Sequence, residues 1–232
     1  MKKRKKSSAK KHTRKTKKGG GEYLSTLTKA LRSENIIVGI DEVGRGPVAG
    51  PVCVCTLWYK ATDHTEITSL LEGVTDSKKV HVNKRRAYAK IAQELQDRGI
   101  INYTLQFGSA KKIDEEGIMK CLRDGIERGL KIAEKDGLTS TDYVFLDGSL
   151  KAPVKFYKQK TIIGGDGKVF AISLASIVAK VARDELMEEY GIQYPEYGLE
   201  QHKGYGTAKH MQAIKKYGLS PIHRTSFLTK YL

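Results

Sequence analysis

The chain has 232 residues, 39% of them hydrophobic, enough for one sizeable core and one main domain. Its formal net charge is +16, and eleven of its 42 Lys and Arg fall within residues 1–20, which hold no acid, leaving 31 basic against 26 acidic residues elsewhere. No apolar run approaches bilayer length and no apolar segment follows the basic start, which excludes a membrane-spanning helix and argues against a signal peptide; a cytoplasmic protein is expected.

Residues 1–21 read as a basic tail. Like charges without apolar residues cannot bury enough surface to offset chain entropy, so disorder is expected until Gly19 to Gly21 hand over to a folded domain at 22–232. The plain reading of the tail is a solubilising extension. The functional one is a phosphate tether, since each Lys or Arg that neutralises a phosphate releases condensed counterions.

In "EYLSTLTKALRSEN" Leu24, Leu27 and Leu31 share a helical face, which predicts a short helix before the first strand. Strands are predicted at 36–41 and 51–59, joined through a glycine-rich turn as an antiparallel hairpin. Cys53 and Cys55 alternate on one face of the second, as buried strand residues do. With Cys121 they make an odd count without a CxxC pair, so neither disulfide nor metal ligation is expected. Beyond "TDSKKV", Ala87, Ile91 and Leu95 predict a helix over 83–98 that Gly99 ends. "INYTLQF" alternates as a strand. Ile113, Leu122, Ile126, Leu130 and Ala133 predict one amphipathic helix over 109–135, closed by Gly137. "DYVFLDGS" reads as a buried strand ending on Asp147, and a helix over about 168–190 carries Ala171, Ala175 and Ala179 four apart, a stripe suited to close packing. From about residue 192 the composition turns to Tyr, His, Lys and Gly. One short helix is predicted there over about 207–217, capped by Thr207 and ended by Gly218. Strands followed by alternating helices and strands indicate an α/β domain, a mixed β-sheet flanked by helices, with a C-terminal helical extension.

Asp41, Glu42 and Asp147 stand at or beside the ends of apolar strands, and Asp166 follows "TIIGG" just before a helix. Strand ends of one sheet lie close together, so acids distant in sequence can converge there. Several carboxylates at one apolar edge repel, and the usual relief is a divalent cation; oxygen-only ligands suit Mg²⁺ or Mn²⁺. For each acid alone, a strand-end cap or a salt bridge is the ordinary reading; four such placements together favour a metal site. Neighbours on a regular strand point to opposite faces, so Asp41 and Glu42 share an ion only if the chain bends or Glu42 uses its carbonyl, and the following glycines make room for a bend. Carboxylate-held metal suits phosphodiester hydrolysis. In that setting Gly44 and Gly46 allow close backbone approach, and Arg45 between them meets phosphate as a planar fork, which a plain hairpin turn would not need.

In this order, "GIDEVGRGPVAGPV", "DSKK", "DGS", "SLASIVAKVARDE" and "YPEYGLEQHKGYGTAKH" with "GLSPIHRTSF" resemble the motifs of type 2 ribonucleases H, specifically ribonuclease HII, over about residues 36–228. Val43 and Ser149 depart from the alanine and asparagine common there, and "SLASI" from a more alanine-rich run; Arg45 favours HII over ribonuclease HIII, which typically has lysine. The resemblance implies an RNase H-like fold and metal-dependent cleavage of RNA paired with DNA. Single ribonucleotides embedded in duplex DNA are included, cut on their 5′ side to leave 5′-phosphate and 3′-hydroxyl ends, as ribonucleotide excision repair requires. It implies that Asp41, Glu42, Asp147 and Asp166 hold Mn²⁺ or Mg²⁺, that Gly44, Arg45 and Gly46 read the 2′-hydroxyl, and that Tyr205 stacks near the same sugar. Asp184 is a supporting acid, for which a local ion pair with Lys180 or Arg183 is the ordinary reading. Lys78, Lys79, Lys180, Lys203 and Arg224 are candidate phosphate contacts; His202, His210 and His223 line the groove or pack. The expected partner is nucleic acid, bound by a monomer away from membranes. Two rivals stand beside this reading. A metal-dependent DNA exonuclease would degrade all-DNA ends, and a noncatalytic nucleic-acid binder would depend on residues 1–20.

Overall fold

The structure, a computed structural model, describes residues 20–230, so the expected basic tail lies, up to residue 19, outside the described residues. Helix α1 (Gly20–Leu31) precedes the hairpin of β1 (Ile36–Val43) and β2 (Val52–Lys60). A short α2 (His64–Leu70) and then α3 (Val82–Asp97) lead to β3 (Asn102–Gly108). Next come α4 (Ala110–Glu116), α5 (Ile118–Lys135), β4 (Tyr143–Asp147) and β5 (Gln159–Ile162). The long α6 (Phe170–Gln193) is followed by α7 (Leu199–His202), α8 (Ala208–Tyr217) and α9 (Thr225–Leu228).

The five strands form one mixed sheet in the order β3-β2-β1-β4-β5. The β2 strand pairs antiparallel with β1 and β3, whereas β4 is parallel to β1 and β5. Strand alternation divides the core. Ile37, Cys53, Cys55 and Leu57 pack with Ala171, Leu174, Ala175 and Val178 of α6 on one face. Val38, Ile40, Val52 and Val54 pack with Leu122, Ile126 and Leu130 of α5 on the other. All these side chains are buried, and truncating one of the larger ones to alanine costs about 2–5 kcal/mol. The alanine stripe of α6 lets that helix lie close against β1, as expected.

Three expectations are corrected. The single helix over 109–135 is two: the chain breaks at Gly117, whose φ of +83° no helix accommodates, although the predicted apolar positions on both sides are buried. The first strand runs two residues past Asp41, to Val43. The structure also contains α2 and β5, which periodicity did not reveal. In the C-terminal extension Thr207 caps α8, its hydroxyl accepting from the His210 N–H (3.3 Å), and Gly218 ends it at φ +82°. A third apolar cluster of Val48, Ala49, Met187, Tyr197, Leu199, Ile214, Ile222 and Leu228 fastens this extension to the turn after β1. Among the described residues no helix is long and apolar enough to cross a membrane.

Candidate active site

Strands β1 and β4 run parallel with Ile40 beside Leu146, so the next residue on each, Asp41 and Asp147, stands at the same end of the sheet. Asp41 lies on the α6 face, where it is buried and hydrogen-bonded to Ser176; the Ser176 hydroxyl is also 2.9 Å from that of Ser77. The Asp147 carboxylate accepts from the Gly165 N–H (2.6 Å), tying β4 to the 3₁₀ turn Gly165–Gly167 that carries Asp166. Ser173 of α6 in turn donates to the Asp166 carbonyl (2.6 Å). Three of the four predicted acids therefore gather where β1, β4 and the start of α6 meet.

Glu42 departs from the expected geometry. The bend that the glycines invited is absent: pairing with β2 continues one for one, Asp41 with Cys55, Glu42 with Val54 and Val43 with Cys53. Its side chain leaves on the opposite face, where Oε1 accepts from Arg45 Nη1 (3.3 Å), and the other terminal nitrogen of Arg45 sits 3.0 Å from Met119 Sδ of α5. Glu42 Oε2 is buried without a hydrogen-bond partner.

Burial above all, with the charges of Glu42 and Asp147 adding to it, raises the Asp41 carboxyl well above the usual carboxylate range, against the Ser176 hydrogen bond. Burial raises Glu42 as well, partly offset by Arg45, and raises Asp166 with help from the charges of Asp147 and Asp76. Among the described residues no three His, Cys, Asp or Glu side chains are gathered tightly enough to hold an ion as they stand. The Asp41, Asp147 and Asp166 carboxylates, oxygen donors only and mutually repelling, nonetheless fit a hard divalent cation, which Glu42 on the far face can join only through its main-chain carbonyl.

Beside the acids, residues 44–51 form a turn whose carbonyls point inward at two buried arginines. Arg183 of α6 donates from Nε to Pro51 O (2.8 Å), from Nη2 to Ala49 O (3.2 Å) and from Nη1 to Lys203 O (3.0 Å). Arg224 donates from Nε to Gly50 O (2.8 Å), from Nη1 to Pro47 O (2.8 Å) and Arg45 O (3.2 Å), and from Nη2 to Gly44 O (2.7 Å). Gly44 has φ +86°, and a Cβ there would fall closer than 3.0 Å to the Arg183 side chain, so only glycine fits. Tyr205, half exposed, faces this turn: a Cβ on Gly46 would stand 3.8 Å from its ring, and the Val48 and Ala49 N–H groups donate to the neighbouring Gly204 carbonyl (2.9 and 3.2 Å).

The basic candidates separate. Arg224 is 0% exposed with its donors spent on carbonyls, which corrects the expectation that it contacts phosphate; it braces the turn instead. Lys78 is exposed, and its charge opposes the upward shifts of Glu42 and Asp166, so it stands near both. Lys79, exposed, pairs with Asp76 (3.5 Å). Lys180, pulled down by burial, is held by both oxygens of Asp184 one turn along α6 (2.5 and 2.6 Å), which gives Asp184 its ordinary reading. Lys203 pairs with Glu188 (2.8 Å). Sequence reasoning missed Arg183 as a brace, the Ser77–Ser176 pair that fastens the "DSKK" loop beside Asp41, and Asp76. Their one sequence signal is position, inside or next to motifs already singled out.

Residues 38–230 match the family model described as Ribonuclease HII. Among curated proteins, ribonuclease HII of Clostridium beijerinckii is 40% identical over 205 residues, covering 88% of this chain and 72% of that protein. Its counterpart in Bacillus pumilus is 42% identical over 193 residues, covering 82% and 69%. Among solved structures the chain is similar to ribonuclease H2 from Pyrococcus horikoshii, with a TM-score of 0.60, 24% identity, and 84% and 96% of the two chains covered. It also resembles Bst-RNase HIII in complex with Mn²⁺, with a TM-score of 0.66, 17% identity, and 89% and 71% covered; at such identities the likeness speaks for the fold. A mixed sheet of this topology with acids converging at one strand end defines an RNase H-like, divalent-metal-dependent nuclease. Within that class the chain belongs to the ribonuclease HII family, endoribonucleases that hydrolyse the RNA strand of RNA–DNA hybrids.

Proposed function

We propose that this chain cuts the phosphodiester on the 5′ side of a ribonucleotide, both in RNA–DNA hybrids and at single ribonucleotides within duplex DNA, leaving 5′-phosphate and 3′-hydroxyl ends. It acts as a cytoplasmic monomer whose partner is nucleic acid, in the repair that removes misplaced ribonucleotides. The observation that supports this reading is a juxtaposition: Asp41, Asp147 and Asp166 share a sheet end with a glycine turn locked from behind by Arg183 and Arg224 and faced by Tyr205.

Asp41, Asp147 and Asp166 through their carboxylates, and Glu42 through its main-chain carbonyl, are the residues to hold Mg²⁺ or Mn²⁺, which when bound supplies water activation and charge stabilisation at the leaving oxygen. The chain's own groups do the selecting. The 2′-hydroxyl is the one feature that separates RNA from DNA at a given position, and it both donates and accepts. The main chain of Gly44, Arg45 and Gly46 approaches it from one side and the Tyr205 ring lies by the same sugar from the other. Because the carbonyls of Gly44 and Arg45 are already engaged by Arg224, the turn meets the sugar preorganised. Lys78, whose charge acts on Glu42 and Asp166, takes the phosphate at the cut, while Lys79 and Lys180 serve phosphates further along.

The test is a duplex with one embedded ribonucleotide, offered to the wild type and to Asp41→Asn beside an all-deoxy control. Cleavage 5′ of the ribonucleotide by the wild type alone is expected. Undiminished cleavage by Asp41→Asn refutes the assigned site, and degradation of the all-deoxy duplex favours the exonuclease reading.

A further inference from the structure

Three histidines of the C-terminal extension form a network whose proton positions are dictated by its ends. The Ser220 backbone N–H donates to His223 Nδ1 (3.0 Å), and the Ser220 hydroxyl lies 2.8 Å from the same nitrogen. A backbone N–H only donates, so His223 carries its ring hydrogen on Nε2. That nitrogen lies 3.1 Å from His210 Nε2, which must then accept. His210 therefore holds its hydrogen on Nδ1, 2.9 Å from the Tyr205 carbonyl, which only accepts. His202, stacked on His210 at 4.3 Å between centroids, is fixed likewise: the Gly204 N–H donates to its Nδ1 (3.3 Å), and its Nε2 donates to Tyr197 O (2.9 Å). Hydrogen bonds thus run one way, from residue 220 through two rings to Tyr205. A second proton on His210 or His223 would set N–H against N–H.

Packing alone does not require this arrangement. Both rings are buried, at 0% and 3% exposure, against the edge of Tyr197, a place that two apolar rings would fill without the desolvation of four nitrogens. No carboxylate is hydrogen-bonded to any of the three rings among the described residues. The charged groups of the adjoining segments are Arg224, committed to the turn; Lys203, turned to Glu188; Lys209, exposed on α8; Glu196 and Glu200, exposed beside Tyr197 and His202; and Asp114, taken up by Thr225 and Ser226. Burial accordingly holds His223 below the usual histidine range and His210 down to about 4. The segment that carries His223 is itself stitched to the recognition turn, by a β-bridge between Ala49 and His223 and by the Arg224 N–H donating to Val48 O (2.8 Å).

We infer that His210 and His223 are positioning residues for Tyr205: as a neutral, directionally bonded pair they fix the main chain of Tyr205 relative to the turn, and so set its half-exposed ring opposite Gly46. This rests on the assignment of Tyr205 to the ribose proposed above. The family resemblance assigns neither histidine such a role.

The experiment measures kcat/KM on the one-ribonucleotide duplex for wild type, Tyr205→Ala, His210→Gln, His210→Phe and His210→Phe/Tyr205→Ala, with thermal melts in parallel. Glutamine keeps an acceptor toward His223 and a donor toward Tyr205, whereas phenylalanine keeps the ring volume and drops the polarity. A positioning role predicts that His210→Phe loses roughly tenfold or more while His210→Gln stays within about threefold of wild type. Added to Tyr205→Ala, the His210→Phe change is expected to cost no more than about twofold. A packing role predicts the reverse ranking, phenylalanine tolerated and glutamine damaging, and that result overturns the inference, as does a His210→Phe loss that multiplies fully with that of Tyr205→Ala. Wild-type activity in Tyr205→Ala overturns the ribose assignment and the inference with it. Activity lost in Tyr205→Ala with multiplicative losses overturns the inference alone.

Discussion

Replacing Arg224 by methionine removes the guanidinium while keeping most of the length of the side chain. Four buried carbonyls, of Gly44, Arg45, Pro47 and Gly50, then lose a charged donor. Each acceptor so stranded costs about 1–3 kcal/mol. The simple sum overstates the loss, because burial and the neighbouring Arg183 charge already disfavour the charged form of Arg224, and methionine relieves that burden. A net loss of about 3–5 kcal/mol is expected, the range for breaking one side of a buried charged network. At about 2–4 °C per kcal/mol for a chain of this size, the melting temperature should fall by roughly 10 °C. A phosphate contact would behave in the opposite manner, leaving stability alone and lowering the slope of log affinity against log salt by about 0.9. Thermal unfolding and a salt series of hybrid binding in chelator separate the two. An unchanged melting temperature with a reduced salt slope would refute the bracing role.

Gly44→Ala should cost the backbone penalty of a positive φ, about 1–2 kcal/mol, plus the displacement of Arg183 from its carbonyls, and should abolish cleavage. Gly99→Ala is its control, because Gly99 has φ +71° but nothing within 4 Å of a new Cβ; equal destabilisation in urea titrations would contradict the clash. His210 should contribute a loss of stability as pH drops from about 6.5 through about 4, since below 6.5 the unfolded chain takes up a proton that folded His210 refuses. The span corresponds to about 3 kcal/mol, and His210→Gln should flatten that part of the profile measured by denaturant midpoint. Mg²⁺ should raise the melting temperature by relieving repulsion among the buried acids, a stabilisation of about 2.7 kcal/mol at a hundredfold excess over Kd, and Asp147→Asn should forfeit most of the gain.

Much of the fold and the site was legible because strand ends and apolar periodicity are local. Asp41 and Asp147 close apolar runs, so their convergence needs only that β1 and β4 be neighbours, and the two faces of the sheet arise from alternation. The break at Gly117 was hidden because the apolar positions before and after it still match one helical face. The β5 strand, four residues of "QKTI", owes its place to the parallel pairing with β4 rather than to any pattern of its own. The misreading of Arg224 has a general cause: a cation in an irregular segment looks solvated unless the carbonyls that bury it, some 174–180 residues away, are known. The absent bend at Glu42 is of the same kind, since glycines permit a bend but the β2 partner decides against it.

The separation between Arg224 and the turn it holds also sets an order of events. The carbonyls of residues 44–50 are made some 174–180 residues before their partner, so this contact closes a long loop. Until residue 224 has emerged and docked, the acids can sit at their sheet end, but the turn proposed to inspect the sugar lacks the donor for its Gly44, Arg45, Pro47 and Gly50 carbonyls. On the function proposed above, discrimination of the ribose is thus acquired later in synthesis than the gathering of the acids, and a chain stopped before residue 224 would lose it before it lost its fold.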